Sequence, residues 1–402
     1  RKRLNQMKRK KKKQSDDDQR PDDGRQVEIS LKLNVWMLPV LVVLLLGLQV
    51  IRPYRGWLTL LIGLGGALVI SYLWVRSLRN GLTLTRKMRF GWAQVGDRIQ
   101  EQFELAHRGW TPVSMVELID HSTLPGYDAG RGTSIGIQNT MRWHKDAVCT
   151  RRGVFSLGPS TLSTGDPFGI FSLKLHYSAA KPFVVLPPIV PLPGIQVAPG
   201  GRGGDGHPRP NVLHRTISAA SVRAYVPGDS LRWIHWPTSA RHESFYVRMF
   251  EGMPAGDWWI VLDMDQRVHV GQAQHSTEEH GVILAASLAD KGLRSRRAVG
   301  LVAQGADLTW LQPRRGDTHR WEMMRMLANV SLGTYALAET LAEIGPVVEP
   351  YASLVIVTPS LDSAWVEVLM LLLRRGISPT VLLLDPQSFG GNGSAEGLSG
   401  LL

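Results

Sequence analysis

The chain has a single cysteine, Cys149, among its 402 residues. One thiol cannot form an internal disulfide, and zinc sites that require paired cysteines are excluded for the same reason. A lone cysteine on a strand-like segment is usually a small buried hydrophobic residue. We therefore expect Cys149 to pack in a core rather than to act as a nucleophile.

Common catalytic motifs are also missing from the sequence. The glycines of PGGRGGDGHPRP (199–210) are followed by no lysine, which a phosphate-binding loop would require. His275 and His280 are five residues apart and do not form the HExxH pattern of zinc proteases. Residues 81–190 have neither paired carboxylates nor a histidine cluster at catalytic spacing. These absences favour a protein that is not an enzyme.

Positive charge is scarce outside the N-terminal part, although the whole chain has a formal net charge of +12. Residues 1–89 contain 19 Lys and Arg against six Asp and Glu, so the remaining 313 residues have a net charge of −1. The basic excess is therefore an arm and not a property of the folded body. Residues 1–32 are polar and also contain acidic clusters, which predicts a disordered cytoplasmic arm.

Two long runs without any charged residue follow this arm. They are LNVWMLPVLVVLLLGLQVI (33–51) and WLTLLIGLGGALVISYLWV (57–75), joined by RPYRG. A 19-residue helix is about 28 Å long, close to the roughly 30 Å hydrocarbon core of a bilayer. Buried globular helices and a cleaved signal peptide are the alternatives. Two adjacent runs behind a long polar arm favour a transmembrane hairpin over residues 33–75.

The distribution of Lys and Arg around these runs predicts their orientation. Basic residues are concentrated before the first run and after the second, and only Arg52 and Arg55 lie between the runs. The positive-inside rule then places the N-terminal and C-terminal parts in the cytoplasm, with two helices in the inner or plasma membrane. The basic arm can bind anionic lipid headgroups. Nucleic-acid binding through the arm is an alternative. The adjacent membrane anchor makes lipid binding the simpler explanation of the basic residues.

The sequence of residues 81–190 predicts a β-rich domain. Segments such as IQEQFEL (99–105), TPVSMVELID (111–120) and KPFVVLP (181–187) are strand candidates separated by Gly and Pro, which is typical of a small β-sandwich-like unit. The segment STGDPFGIF (163–171) predicts a tight turn that exposes an apolar residue to a neighbour. A linker rich in Pro and Gly follows over residues 191–215.

Residues 253–386 alternate between short apolar strands and amphipathic helices. DWWIVLDMD (257–265), AVGLVAQ (298–304), SLVIVTPS and SPTVLLLDP are the strand candidates, with helices between them. This alternation predicts an open α/β sheet covered by helices on both faces. Ligands of such sheets bind at the carboxyl ends of the strands, which points to Asp263, Asp265 and the turn at 358–360. Residues 387–402 are predicted to be a flexible tail.

Between the linker and this domain lies a joint, residues 216–252, with the densest stretch of unusual residues: RAYVPGDSLRWIHWPTSAR (223–241), the signature segment. We predict a turn at Pro227 and Gly228, a helix over 230–236 capped by Asp229 and ended by Pro237, and then a strand. Trp233 and Trp236 are expected to pack in the core, and His235 to be a buried hydrogen-bonding residue rather than a general base. The structural residues predicted here are Arg223, Tyr225, Pro227, Gly228, Asp229, Arg232, His235, Trp236 and Arg241.

Three stretches together resemble the bacterial family called domain of unknown function 58. They are TRRGVFSLGPSTLSTGDPFGIF (150–171), the signature segment and YVRMFEG (246–252). The resemblance implies a membrane-anchored protein with a von Willebrand factor A-like domain. It also implies a partnership with a MoxR-type AAA+ ATPase in assembling or maturing other proteins. The expected fold is thus an α/β von Willebrand A-like domain, preceded by a small β-sandwich-like unit and an N-terminal two-helix transmembrane hairpin.

The resemblance also raises the question of a metal site. Metal-binding von Willebrand A domains have D-x-S-x-S after the first strand, and oxygen ligands of that kind suit Mg²⁺. Here Asp263 holds the first position, but Asp265 and Arg267 hold the third and fifth. A cation at Arg267 opposes a bound metal ion, so a metal-independent contact face is the favoured interpretation. Mg²⁺ at Asp263 and Asp265 is the alternative.

The sequence therefore favours a non-enzymatic, membrane-anchored scaffold or adaptor that acts with a MoxR-type AAA+ ATPase through its von Willebrand A-like domain. No catalytic residue and no cofactor are predicted. One alternative is a metal-dependent hydrolase that uses Asp263 and Asp265. The other is a membrane-tethered protein that binds nucleic acid or anionic lipid through the basic arm.

Overall fold

The computed structural model describes residues 27–198, 219–226, 234–242, 244–250, 257–350 and 352–399. The chain divides into two compact units, Arg1–Leu186 and Pro187–Leu402. The greater part of the predicted arm, residues 1–26, lies outside the described residues.

The first unit begins with a strand and two apolar helices. The helices are α1 (Met37–Ile51) and α2 (Arg55–Gly81), packed against each other. Helix α2 is long and apolar enough to cross a membrane by length and composition, whereas α1 is apolar but has only 15 residues. Leu45 is the only buried residue of α1, so the sides of this helix pair present mostly exposed Val, Leu and Ile.

The last turns of α2 belong to the core of the β-rich part. Val75 and Leu78 are at most 1% exposed and pack in the same cluster as the strands. The helix ends at Gly81, where a Cβ would lie 2.5 Å from the backbone nitrogen of Gly109. Glycine is required at this position because only a residue without a side chain allows so close an approach of two backbone segments.

Among the described residues of the first unit, eleven strands form three sheets. Strand orders are β1-β10-β9-β5-β6, β2-β4-β7 and β3-β11-β8, all antiparallel except for the β3–β11 pair. Cys149 is fully buried in their common core. The strands are β1 (Val27–Leu33), β2 (Leu82–Met88), β3 (Trp92–Gln94), β4 (Arg98–His107), β5 (Val113–Asp120), β6 (Arg131–Ile135), β7 (Thr140–Val148), β8 (Gly153–Leu157), β9 (Ser160–Gly165), β10 (Phe171–Tyr177) and β11 (Lys181–Leu186).

Strand β1 differs from the sequence prediction, which assigned residues 1–32 to a disordered arm. Val27–Leu33 pairs with β10 along its whole length, from Val27 opposite Tyr177 to Leu33 opposite Phe171. Alternating apolar residues in VEISLKL make this segment a suitable edge strand. The folded part of the chain therefore begins before the first apolar helix, and the β-rich domain includes residues on both sides of the helix pair.

The second unit is built around a five-stranded sheet of order β18-β17-β14-β19-β20. Four of the strands are parallel, and β18 is an antiparallel edge strand that the sequence analysis missed. Two-stranded pairs β12–β13 and β15–β16 lie outside this sheet. The strands are β12 (Ala219–Ala224), β13 (Tyr246–Phe250), β14 (Trp258–Leu262), β15 (Gly271–Gln272), β16 (His275–Ser276), β17 (Val299–Gln304), β18 (Leu308–Arg314), β19 (Ser353–Thr358) and β20 (Ser378–Leu383).

Helices cover both faces of the five-stranded sheet because its central strands are apolar on both sides. On one face, Gly281 and Gly292 of the helix after β16 approach Leu262 and Trp258. On the other face, Trp259 and its neighbours pack with two shorter helices. The helices of this unit are α3 (Trp236–His242), α4 (Thr277–Arg294), α5 (Asp317–Asn329), α6 (Leu337–Ile344), α7 (Ala364–Arg374) and α8 (Glu396–Ser399).

Two segments predicted to be flexible are bound to this unit. In the predicted linker 191–215, the described part ends at residue 198, and Lys291 Nζ donates to the carbonyl oxygens of Leu192 and Ile195 at 2.8 and 2.6 Å. In the predicted tail 387–402, Leu398 is 6% exposed and packs in the core. Lys291 thus stabilises the described part of the linker. Phe389 also attaches the tail, since its ring packs edge-on against His280 with 4.8 Å between centroids.

Of the helix predicted over 230–236, residues 230–233 lie outside the described residues, and so does the core position predicted for Trp233. Pro237 was expected to end a helix over 230–236, but α3 begins at Trp236 and contains Pro237 in its first turn. Proline is well tolerated there because the first N–H groups of a helix have no partner within it. The Nδ1 of His235 accepts from the backbone N–H of Thr238 at 3.3 Å, which caps the helix. The core position predicted for Trp236 is wrong, since this side chain is 63% exposed.

Candidate functional site

The carboxyl end of β14 brings four polar residues together, as expected for a parallel sheet. Asp263 and Asp265 follow β14, and Thr358 is the last residue of the neighbouring strand β19. Arg267 lies two residues beyond Asp265. We call Asp263, Asp265, Arg267 and Thr358 the Asp263 cluster.

Asp263 is buried, at 3% exposure, and both of its carboxylate oxygens accept hydrogen bonds. The hydroxyl of Thr358 donates to Oδ2 at 2.6 Å, and the backbone N–H of Asp265 donates to Oδ1 at 3.1 Å. Thr358 Oγ1 in turn accepts from the N–H of Ser360 at 2.9 Å. The carboxylate therefore connects the ends of two neighbouring strands.

Arg267 forms an ion pair with Asp265 through both of its carboxylate oxygens. Its Nε lies 2.9 and 3.0 Å from Oδ1 and Oδ2, and its Nη2 lies 2.6 Å from Oδ2. The same guanidinium donates to the carbonyl oxygen of Thr334 at 3.4 Å. Asp265 is nearly buried, whereas the side chain of Arg267 is 62% exposed. A guanidinium therefore neutralises this carboxylate where the metal-binding alternative would need free oxygen ligands.

His269 and Thr277 also contact the turn that contains this cluster, and neither residue was predicted from the sequence. Nε2 of His269 lies 2.9 Å from the carbonyl oxygen of Asp263, so this nitrogen carries a hydrogen and donates. Nδ1 lies 3.0 Å from the hydroxyl of Thr277 at the start of α4. The imidazole thus fixes the turn after β14 to the following helix.

The two carboxyl groups have pKa values displaced in opposite directions. Burial raises the pKa of Asp263, against the opposing effect of its hydrogen bond from Thr358. Burial acts in the same sense on Asp265, but the hydrogen bonds and charge of Arg267 outweigh it and lower the pKa of Asp265. The ionised form is thus favoured at Asp265 and disfavoured at Asp263.

Within the described ranges, no three His, Cys, Asp or Glu side chains group together in a way that could hold a metal ion. Around the cluster, Tyr335 is 48% exposed and Asp362 is exposed. This edge of the sheet therefore exposes a guanidinium, a phenol and a carboxylate.

The signature segment is only partly described. Pro227, Gly228, Asp229 and Arg232 lie outside the described residues, so the predicted cap at Asp229 has no structural account. The backbone of Arg223 is in β12. Of the structural residues predicted in this segment, Tyr225, His235, Trp236 and Arg241 have described side chains.

These described residues form local contacts. The ring of Phe245 packs edge-on against both Tyr225 and Trp236, each at 6.2 Å between centroids. Nδ1 of His235 lies 2.7 Å from the hydroxyl of Thr238, and the backbone N–H of His235 donates to Tyr246 at 2.7 Å. Arg241 is exposed in the last turn of α3. The described contacts of His235 are thus to its own helix and to β13.

A second polar cluster, in the first unit, was not predicted from the sequence. Arg86 on β2 forms ion pairs with Glu101 on β4 at 2.6 Å and with Asp120 on β5 at 3.0 Å. Its Nη2 also lies within hydrogen-bond distance of Ser122 and Tyr127, and the hydroxyl of Tyr127 donates to Glu101. We call these five residues the Arg86 cluster. Its members come from four separate segments, so their spacing in the sequence carries no signal.

Cys149, the one thiol, is fully buried. Burial, with a smaller contribution from the charge of Asp97, raises the pKa of its thiol to about 11. Since the thiolate is the reactive form, both its burial and the raised pKa disfavour reaction of Cys149 at neutral pH.

The comparisons with known proteins agree with the resemblance noted from the sequence for part of the chain. Residues 221–388 match the family described as "Protein of unknown function DUF58". The uncharacterized protein Rv1480 of Mycobacterium tuberculosis is 32% identical over 111 residues, which are 27% of this chain and 34% of that protein. The uncharacterized protein YeaD of Bacillus subtilis is 29% identical over 115 residues, which are 29% of this chain and 27% of that protein. The chain thus spans about a third or less of these curated relatives.

Part of the chain is also similar to solved structures, at low sequence identity. The match to the CARDB domain of the PF1109 protein from Pyrococcus furiosus covers 26% of this chain and 94% of the solved chain. The sequence identity is 10% and the TM-score is 0.19. A TM-score this low does not indicate a shared fold or function.

Proposed function

We propose that the chain is a membrane-anchored scaffold that presents a von Willebrand A-like domain in the cytoplasm to a MoxR-type AAA+ ATPase. The observation that carries the proposal is the exposed apolar surface of α1 and α2. Val43, Ile51 and Ile62 are 71%, 76% and 66% exposed, in helices without charged residues between Met37 and Ile51 or between Gly56 and Val75. Contiguous apolar surface on this scale is unfavourable in water and favourable in a bilayer.

The orientation follows from the charges that flank the helices. Lys and Arg are concentrated before α1 and after residue 75, and the connection between the helices has two arginines. In the proposed arrangement both folded units are cytoplasmic, and Tyr54 at the tip of the helix pair faces the opposite side. The basic arm then lies where anionic lipid headgroups are available.

The α/β unit supports the proposal through its Asp263 cluster. Asp265 is already neutralised by Arg267, and the exposed guanidinium is available for a carboxylate of a partner. Metal-dependent hydrolysis would require free carboxylate oxygens at this position. We therefore assign this edge of the sheet to protein binding. The von Willebrand A-like identity of the domain and the AAA+ partner are implied by the family resemblance.

Membrane insertion is tested by washing membranes from cells that express the full chain with alkaline carbonate. We expect the chain to remain in the membrane pellet. A Leu60→Lys, Ile62→Lys variant should be released in part, because each charge costs about 2.5–3.5 kcal/mol at the bilayer centre. Leu308→Lys, at a residue 55% exposed in the second unit, is the matched control. Release of the unmodified chain by the wash would contradict membrane insertion.

The orientation is tested by labelling cysteines with a maleimide that cannot cross membranes. Tyr54→Cys should react in intact cells, whereas Trp110→Cys should react only after permeabilisation. Both wild-type side chains are well exposed, at 64% and 63%. The buried Cys149 contributes no background because burial raises its pKa to about 11. The reverse labelling pattern would place the folded units outside the cytoplasm.

Partner binding is tested with the full chain in nanodiscs and a purified MoxR-type ATPase. Arg267→Glu should weaken binding at least about tenfold, the effect of losing about 1.4 kcal/mol. The matched control is Arg294→Glu. Arg294 is 70% exposed and also forms an ion pair, with Asp290, but lies at the other end of α4. Equal affinities of the two variants would contradict binding through the Asp263 cluster.

The metal-dependent alternative predicts a different result in the same nanodiscs. Calorimetric titration with Mg²⁺ or Mn²⁺ should give heat of binding that is lost in an Asp263→Asn variant. Absence of binding in the unmodified chain would remove the metal-dependent hydrolase from consideration.

A further inference from the structure

The turn between β9 and β10, residues 166–170, exposes a phenylalanine to solvent. Phe168 is 64% exposed, although Ile170 two residues later is buried. Single exposed hydrophobic residues are common on protein surfaces and carry no meaning by themselves. The position of this turn relative to the apolar helices gives the exposure its significance.

Asp166 holds the turn rigidly. Its side chain is buried, and its two carboxylate oxygens accept from the backbone N–H groups of Phe168 at 3.0 Å and Phe171 at 2.6 Å. Gly169 has a φ of +70°, a conformation that favours glycine. Phe168 therefore projects from a fixed turn.

The same turn is attached to the chain where it enters α1. The backbone N–H of Asn34 donates to Ile170 at 2.8 Å, and its side-chain amide donates to the carbonyl oxygen of Gly169 at 3.2 Å. The hydroxyl of Ser172 donates to the Asn34 side chain at 3.1 Å. Trp36, two residues after Asn34, is 68% exposed. The turn thus lies at the base of the helix pair.

Helix α2 passes the same level. Tyr72 packs edge-on against Phe171 with 6.1 Å between ring centroids, and α2 is increasingly buried in the β-rich part from Ser71 onward. The helix pair is therefore free of the domain only over α1 and over the part of α2 that precedes Ser71.

The length of this free part is short for a bilayer. The 15 residues of α1 extend about 22 Å, and residues 55–70 of α2 about 24 Å, against a hydrocarbon core of roughly 30 Å. A bilayer that covers the whole helix pair must then reach the level of Trp36 and Phe168, or become locally thinner.

From this geometry we propose that Phe168 is a membrane anchor of the β-rich domain, inserted into the cytoplasmic interface of the bilayer beside Trp36. The inference rests on the proposed membrane insertion of α1 and α2, and it adds that the domain itself contacts lipid. The occupant is the lipid surface because the turn is continuous with the apolar surface of the helices. Aromatic side chains are the residues that favour this interfacial depth.

The test uses spin labels attached to single cysteines of the full chain, with Cys149→Ala, in vesicles of phosphatidylcholine and phosphatidylglycerol. Oxygen partitions into lipid and a nickel chelate into water, so the ratio of their collision rates with the label reports depth. Labels are placed at Phe168→Cys, at Phe90→Cys and at Ile62→Cys. Phe90 is the matched control because it is 65% exposed and follows β2, the strand that leads away from the end of α2.

We expect the oxygen-to-nickel ratio at position 168 to be several-fold higher than at position 90, and highest at position 62. A lipid-like ratio at 62 together with a water-like ratio at 168 would overturn the Phe168 proposal and leave the membrane anchorage intact. Water-like ratios at both positions would overturn both. If Phe168→Cys fails to fold, Pro167→Cys keeps Phe168 in place and reports the same turn. A water-like ratio there would likewise overturn the proposal.

Discussion

The two units each contain an arginine that forms an ion pair with a carboxylate, but the two arginines differ in exposure. The side chain of Arg86 is 13% exposed and has two carboxylate partners that are each 1% exposed. The side chain of Arg267 is 62% exposed, and within the described ranges its ion-pair partner is the buried Asp265. The ion pairs of Arg86 therefore lie within the β-rich core, whereas Arg267 neutralises the charge of Asp265 and still presents donors to solvent. Burial, and not the presence of an ion pair, distinguishes a structural arginine from an accessible one.

The largest expected effect follows from Arg86→Met. This change leaves Glu101 and Asp120 buried without their cation, and breaking a buried ion pair in this way costs about 3–5 kcal/mol. We expect urea unfolding of the full chain in detergent to show a loss of that size in the transition of the first unit. Arg267→Met should have a much smaller effect on the second unit.

Arg142→Met is the matched control within the first unit. Arg142 pairs with Glu104 at 3.2 Å, but its side chain is 63% exposed. Exposed ion pairs contribute about 0–1 kcal/mol. Equal losses for Arg86→Met and Arg142→Met would mean that burial is not the determining difference.

A smaller effect is expected from Tyr127→Phe. The change removes one donor from Glu101, which still keeps its ion pair with Arg86. Loss of a hydrogen bond to a buried group costs about 1–3 kcal/mol. The same urea titration measures it, and an unchanged free energy of unfolding would show that Arg86 alone satisfies Glu101.

The pH dependence of stability should reveal the ion pair of Arg267. Because the pKa of Asp265 is lowered in the folded chain, its ion pair stabilises the fold above the ordinary aspartate pKa of about 3.9. This contribution is lost as the pH falls through the lower folded pKa. Thermal unfolding should therefore separate wild type from Arg267→Met at neutral pH and not in strong acid. A difference independent of pH would contradict the assignment to Asp265.

The smallest effect, and one of opposite sign, is expected from Asp263→Asn. Burial raises the pKa of Asp263, so its ionised form destabilises the folded state relative to its protonated form. The amide oxygen of Asn can still accept from Asp265. The variant should gain stability relative to wild type as the pH rises from the ordinary aspartate pKa toward the raised folded pKa. A loss of stability at neutral pH would show that the carboxylate is needed for the Thr358 hydrogen bond.

The four parallel strands of the second unit could be predicted because their apolar character is continuous and local. The run from Trp258 to Leu262 is fully buried, and the acids after it mark the end of a parallel strand. Asp263, Asp265 and the turn at Thr358 could be placed at one edge for that reason. The positive charge of Arg267 was anticipated as an obstacle to a metal ion, but its ion pair with Asp265 was not predicted.

Features that depend on distant pairing could not be predicted. Strand β1 is separated from its partner β10 by more than 130 residues, and nothing in VEISLKL identifies that partner. The Arg86 cluster combines two strands of one sheet with a strand of another and the segment after it. Pro237 was misread because proline ends a helix at one position and begins one at another.

The insertion of α2 into the core of the β-rich domain has a mechanical consequence. The helix continues past Tyr72 without a loop, and the backbones of Gly81 and Gly109 are in direct contact at its end. A hinge requires residues that can change their backbone dihedral angles freely, and a helix buried in a packed core has none. The β-rich domain and α2 are therefore expected to move as one rigid body. A force that displaces the domain would then also tilt the helix.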